Sequence, residues 1–212
     1  MGETIVNNVK RYLMDKYHCH TVILYGSYSR GDFTEESDID IICFSDTVDD
    51  DRNDVEIFEG KPLDVWIYDT DRMKNPEQFL HVHKGKILID NKNLAEEFLL
   101  SIERILNEGP RKLSDTEKDF LKSWLRKMYL RSCKNDIEGN YRFHWALKDS
   151  LEIYFELRGL WYLGPKRSFN WLKDHDERAY DLFEKALAKN ADPKCTKELF
   201  HYLINGDEPD IN

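Results

Sequence analysis

The chain has 212 residues, of which 41% are hydrophobic and 34% are charged, and 41 acidic against 31 basic side chains give a formal net charge of −10. This composition is typical of a globular protein, excludes a disordered chain and suits a cationic substrate better than a long nucleic acid. No apolar run is long enough to span a membrane, the N-terminus lacks a signal-peptide core, and the four cysteines are scattered. We therefore expect a cytoplasmic protein without a membrane partner.

The first elements predicted are a helix, a buried strand and a turn suited to phosphate. Apolar residues recur at helical spacing within residues 3–17, which indicates an amphipathic helix. The β-branched run from Thr21 to Tyr25 predicts a strand that Gly26 and Ser27 end. Glycine lets the backbone approach a ligand closely, and a serine hydroxyl can contact a phosphate oxygen. If residues 27–31 open a short helix, their free N–H groups would also suit an anion.

A second strand, predicted to begin at Ser37, carries a pair of carboxylates. Side chains alternate along a strand, so Asp38 and Asp40 share one face while Ile39 and Ile41 share the other. Two carboxylates on one face repel each other unless a cation lies between them. Because Mg²⁺ takes carboxylate and phosphate oxygens together, the pattern indicates a magnesium site next to the phosphate-binding turn.

Charged residues, glycine and proline indicate the loops and turns in the remainder of the N-terminal half. Residues 46–54 are rich in acids and predict a solvated loop. Two strands, over residues 55–59 and 63–68, are joined through a Gly-Lys-Pro turn, and we expect a short helix near residues 76–83 and a last strand near residues 87–89. A domain boundary is predicted near residue 90.

The C-terminal half predicts helices throughout. The segment Ser114 to Glu117 has the pattern of a capping box before one helix. Another helix is predicted from about Tyr141 to Tyr162, and Gly164 and Pro165 would prevent it from continuing. The predicted fold class is therefore α+β, with a mixed β-sheet domain over residues 1–90 followed by an α-helical bundle over residues 91–212.

Taken together, the N-terminal motifs resemble the signature of a known family. The DNA polymerase β-like nucleotidyltransferases carry a similar series of motifs in the same order. In this chain the series consists of Gly26-Ser27, Arg30-Gly31 and the run Ser37 to Ile42, Ser-Asp-Ile-Asp-Ile-Ile. The resemblance is strongest to the small bacterial branch that contains the kanamycin, lincosamide and minimal nucleotidyltransferases. It covers residues 24–44 closely and extends to about residue 90.

The resemblance implies roles for particular residues. A third carboxylate is expected on a later strand, and Asp64 within Leu63 to Ile67 supplies it. The segment Phe155 to Trp161 is similar to the part of kanamycin nucleotidyltransferase that carries its proposed general base, which would make Glu156 that base and Glu152, one turn earlier, the alternative. The predicted metal ligands are Asp38, Asp40 and Asp64, and the predicted nucleotide-binding residues are Gly26, Ser27, Arg30, Ser37 and Lys166.

The implied activity is the transfer of a nucleoside monophosphate, AMP from ATP, to a hydroxyl of a small cationic acceptor such as an aminoglycoside or a lincosamide, with two Mg²⁺ ions. Antibiotic resistance would then be a role. Two alternatives stay open: an antitoxin-type enzyme that modifies a protein side chain, and an inactive nucleotide-binding module. The identity of the acceptor and a monomeric or homodimeric state are open as well.

Overall fold

The computed structural model describes residues 2–134 and 136–206 and divides the chain into two compact units, Met1–Glu108 and Gly109–Asn212. The first unit holds five strands: β1 (Thr21–Tyr25), β2 (Ile39–Ser45), β3 (Arg52–Phe58), β4 (Lys61–Asp69) and β5 (Lys86–Asp90). It also holds helices α1 (Gly2–Tyr17), α2 (Gly26–Arg30) and α3 (Ala95–Glu108), with 3-10 helices at Thr70–Lys74 and Pro76–Val82. The predicted α+β class is confirmed.

The five strands form one mixed sheet in the order β3-β4-β2-β1-β5. β2 runs parallel to β4, whereas β1–β2, β1–β5 and β3–β4 are antiparallel. Val9 and Leu13 of α1 are fully buried in one hydrophobic cluster with Ile41 of β2 and Val65 of β4, so α1 covers the face to which those two strand residues point. Asp40 and Asp64 therefore point to the opposite face.

Helix α3 packs within the sheet unit, although the sequence assigned it to the helical domain. The ring of Phe98 lies 5.2 Å from that of Phe44 on β2 and 5.4 Å from that of Phe79, measured between centroids. These contacts bury Phe98 almost completely. The division of the chain consequently falls after Glu108 and not near residue 90.

The second unit is a helical bundle with its own core. Its helices are α4 (Asp115–Ser132), α5 (Ile137–Arg158), α6 (Pro165–His175), α7 (Glu177–Leu187) and α8 (Pro193–Asn205). The capping box predicted at Ser114 is present, because its hydroxyl accepts from the Glu117 amide and the Glu117 carboxylate accepts from the Ser114 amide. Helix α5 ends earlier than expected, since Gly159 adopts the left-handed conformation that closes a helix. No helix of the described residues is long and apolar enough to cross a bilayer.

Candidate functional site

Three carboxylates meet where β2 and β4 begin. Asp40 and Asp64 are register partners on these parallel strands, and Asp38 comes just before β2, which begins at Ile39 and not at Ser37. One carboxylate oxygen from each of the three residues lies within 4.8 Å of the others. Within the described part of the chain this is the one group of three or more His, Cys, Asp or Glu side chains arranged so that it could hold a metal. The structure thus brings together the three acids that the sequence singled out, and their role as metal ligands stays a prediction.

The turn after β1 lies directly against this carboxylate cluster. Tyr25, the last residue of β1, is the register partner of Asp40, and Gly26 opens α2 with a φ of +69°. A Cβ atom built on Gly26 would lie 1.8 Å from Oδ2 of Asp40, so a side chain here would occupy the space of that carboxylate. Two features of position 26 therefore require glycine: the positive φ and the close approach of the backbone to the carboxylate cluster.

The electrostatics of the cluster favour a bound cation. Burial, and then the negative charges of Asp38 and Asp64, raise the pKa of Asp40 to about 6, although the charge of Arg30 acts in the opposite direction. Burial and the same three carboxylates also raise the pKa of the Tyr25 hydroxyl. A divalent cation would relieve this repulsion and favour the ionised form of Asp40. Three converging oxygen ligands fit Mg²⁺, which is bound by carboxylates and substrate phosphates together.

The predicted nucleotide-binding residues of the sheet unit occupy different environments. Ser27 is buried in α2, and its carbonyl accepts from the Gly31 and Asp32 amides. Arg30 forms an ion pair with Asp32 at 3.2 Å. Ser37 closes a turn, because its hydroxyl accepts from the Thr34 amide at 2.9 Å. A contact of each of these residues with phosphate stays a prediction.

Asn53 is a candidate site residue that the sequence analysis missed. Its amide nitrogen donates a short hydrogen bond to Oδ1 of Asp64, which orients that carboxylate. The acid-rich segment predicted a loop up to residue 54, but β3 already begins at Arg52. The alternation Asn53, Val55, Ile57 was the available signal, since these side chains share one face of a strand.

An exposed apolar surface adjoins the carboxylates on the same face of the sheet. Val55 is the register partner of Asp64, and both Val55 and Ile57 are more than 60% exposed. Trp66, two residues beyond Asp64 on β4, is also exposed and stacks on Tyr68 with an interplanar angle of 15°. Exposed apolar patches of this kind frequently mark binding surfaces.

The remaining predicted residues belong to the helical unit. Glu156 lies beside a shallow pocket of about 380 Å³ whose lining includes Phe120 and Leu121 of α4. Although Glu156 as a whole is exposed, partial burial of its carboxyl and then the charge of Glu152 raise its pKa. Lys166 is in the first turn of α6. The catalytic and binding roles of Glu152, Glu156 and Lys166 stay predictions.

Comparison with known proteins gives a consistent assignment. Residues 6–111, half of the chain, match the family model described as the nucleotidyltransferase domain. Two relatives from Methanocaldococcus jannaschii are similar over short segments. "Putative protein adenylyltransferase MJ1379" is 53% identical over 38 residues, which cover 18% of this chain and 38% of the relative. "Putative protein adenylyltransferase MJ0604" is 68% identical over 25 residues, which cover 12% of this chain and 25% of the relative. The chain therefore spans well under half the length of either relative.

A solved structure, a nucleotidyltransferase-like protein from Exiguobacterium sibiricum 255-15, aligns with 96% of this chain and 72% of its own at 12% identity and a TM-score of 0.44. The match over residues 6–111 includes the turn at Gly26 and all three converging carboxylates. The chain belongs to the nucleotidyltransferase domain family, within the DNA polymerase β-like superfamily.

Proposed function

We propose that this enzyme transfers AMP from ATP to a hydroxyl of an acceptor and releases pyrophosphate. The observation that carries the proposal is the convergence of Asp38, Asp40 and Asp64 within 4.8 Å next to the turn at Gly26. In this reaction the acceptor oxygen forms a bond to the α-phosphorus while the bond from that phosphorus to the bridging oxygen of pyrophosphate breaks. The family assignment supports the reaction class.

Asp38, Asp40 and Asp64 would hold the divalent cations. Two bound Mg²⁺ ions would neutralise triphosphate charge and lower the pKa of the acceptor hydroxyl. The amide of Asn53 fixes the carboxylate of Asp64 through their hydrogen bond, so this ligand is oriented before substrate arrives.

The side chains near α2 would hold the triphosphate. The Ser27 hydroxyl and the backbone at Gly26 would donate to its β- and γ-oxygens, and Arg30, freed from Asp32, would neutralise charge on the departing pyrophosphate. Glu156 would accept the proton of the acceptor hydroxyl, which its raised pKa favours because such a carboxyl is a stronger base.

Two classes of acceptor are supported by different observations. A small cationic acceptor, such as an aminoglycoside, is supported by acids that recur on one face of α5 at Asp149, Glu152 and Glu156, since they would attract ammonium groups. A protein hydroxyl is supported by the names of the two archaeal relatives and by the exposed apolar surface at Val55 and Ile57 next to Asp64.

A labelling experiment tests the proposal and separates the two acceptor classes. The enzyme is incubated with Mg²⁺ and ATP labelled at either the α- or the γ-phosphorus, together with kanamycin, lincomycin or a cell extract of proteins. We expect the α-label to appear in one acceptor class and the γ-label only in pyrophosphate.

The matched variants are Asp40→Asn, Asp64→Asn and the exposed control Asp49→Asn, of which only the control should retain transfer. Transfer of the γ-label, or full transfer by Asp40→Asn, would contradict the proposal.

A further inference from the structure

A second pocket, remote in sequence from the carboxylate cluster, lies within the helical unit. It has a volume of about 780 Å³ and is formed by α5, by the start of α6 and by the connection between α7 and α8. Protein pockets that bind small molecules commonly have volumes of about 300 to 1,000 Å³, so this one is large enough for an organic ligand.

The interior of this pocket is apolar. Leu147 and Leu151 of α5 line it, and each is at most 6% exposed. The rings of Phe143, Tyr162 and Phe169 contribute further lining. An apolar or aromatic ligand body would lose water-exposed surface against these side chains, which is the main source of affinity in such pockets.

The charged side chains at this pocket are cationic. Lys148 of α5 and Lys189 after α7 line it, together with His144, and the described part of the chain contributes no acidic residue to the lining. Among the described side chains, neither lysine ammonium group has a carboxylate oxygen within 4.0 Å. In a chain with a net charge of −10, two lysines that lack an ion-pair partner among the described residues and lie beside an apolar pocket are complementary to an anionic ligand.

The orientation of such a ligand follows from the neighbouring acids. Burial, and then the negative charges of Glu152 and Asp149, raise the pKa of the Tyr162 hydroxyl. An anionic group at the Tyr162 side would therefore be repelled, whereas Lys148 and Lys189 would attract it.

We infer that this pocket binds a small organic anion that carries an apolar or aromatic body, with its charge at Lys148 and Lys189 and its body against Leu147 and Leu151. The ligand class covers aromatic and medium-chain carboxylates and related sulfonates or phosphates. The inference does not depend on the proposed nucleotidyl transfer.

Three naphthalene probes of nearly equal size test the inference: 2-naphthoate, 2-naphthalenemethanol and 2-naphthylmethylammonium. Binding to the full chain is measured by titration calorimetry. We expect the anion to bind at least tenfold more tightly than the alcohol, and the alcohol more tightly than the cation, because the bodies are alike and only the charge differs.

Charge-reversal variants locate the site. Lys148→Glu and Lys189→Glu should each weaken 2-naphthoate at least tenfold and strengthen the ammonium probe, and both lysines are exposed, so the fold should be retained. Lys127→Glu, an exposed residue of α4 outside the pocket, makes the same change in net charge and should leave all three affinities unchanged. The thermal midpoint of each variant checks folding.

Three results would overturn the inference: no binding of 2-naphthoate up to millimolar concentration, equal affinity for the three probes, or equal effects of Lys127→Glu and Lys148→Glu. A capping variant, Ala188→Trp, provides an independent readout. Ala188 is exposed and lines the pocket, so an indole there should exclude 2-naphthoate without removing either lysine. Undiminished binding to that folded variant would also contradict the site.

Discussion

Replacement of Gly26 by alanine is expected to weaken metal-dependent nucleotide binding about a hundredfold while leaving a folded protein. The substitution has two separable effects. Alanine at a φ of +69° is strained, and its Cβ would lie 1.8 Å from Oδ2 and 2.7 Å from Cγ of Asp40. The carboxylate is the end of a side chain and can rotate away, so the overlap should displace this predicted metal ligand and not unfold the sheet.

The two effects have different magnitudes and different controls. Left-handed backbone costs a non-glycine residue about 1 to 2 kcal/mol, which in a unit of this size lowers the thermal midpoint by at least about 4 °C. Gly60 has a φ of +79° and no atom of the described residues within 4 Å of its Cβ position, so Gly60→Ala carries the backbone strain without the overlap. Loss of the Asp40 ligand should add about 2.7 kcal/mol, a hundredfold in affinity or rate.

The assay is titration of a non-hydrolysable ATP analogue with Mn²⁺ by calorimetry, which needs no acceptor. We expect Gly26→Ala to bind the analogue about a hundredfold more weakly than wild type, whereas Gly60→Ala stays close to wild type. Both variants should lose similar thermal stability. If Gly26→Ala bound the metal–nucleotide pair normally, or Gly60→Ala lost as much affinity, the contact with Asp40 would not be the cause.

Three further predictions concern other groups. Ser27→Ala should weaken binding of the ATP analogue about tenfold, as loss of one hydrogen bond to a charged group does, and unchanged affinity would remove Ser27 from the site. Glu156→Gln should lower kcat on a verified acceptor by a larger factor than it raises KM, and it should lower kcat more than Glu152→Gln does. Equal, small effects of the two variants on kcat would exclude both residues as the general base. Burial raises the pKa of Asp176, but hydrogen bonds from two tyrosines and the Ala179 amide lower it below its usual value. Asp176→Asn should therefore lower the free energy of unfolding of the helical unit by about 1 to 2 kcal/mol above about pH 4. This loss relative to wild type should shrink as pH falls through the lowered pKa of Asp176. An equal loss at all pH values, or the same pH profile for the exposed control Asp174→Asn, would contradict the prediction.

Sequence patterns located the carboxylate cluster because its signals are local. Asp38 and Asp40 are two residues apart beside a β-branched strand, and Asp64 lies between apolar neighbours in another. Their convergence depends on the parallel pairing of β2 with β4, which no single segment encodes. The family resemblance supplied that long-range information.

The errors arose where tertiary contacts or backbone conformation override local signals. The acids of residues 46–54 suggested a solvated loop, yet pairing with β4 extends β3 back to Arg52. The end of α5 was placed at Gly164 and Pro165 because proline is a strong helix breaker, but Gly159 ends the helix first. Helix α3, which the sequence analysis placed in the helical domain, groups with the sheet unit, because an amphipathic pattern does not specify what a helix packs against.

Crystallographic location of Mn²⁺ tests the central claim most directly. Crystals grown with Mn²⁺ and a non-hydrolysable ATP analogue are measured at a wavelength where manganese scatters anomalously. We predict an anomalous peak within coordination distance of Asp38, Asp40 and Asp64, about 2.0 to 2.3 Å from a carboxylate oxygen, with the triphosphate against Gly26 and Ser27. A bound nucleotide whose metal lies elsewhere, with the three carboxylates uncoordinated, would contradict the account.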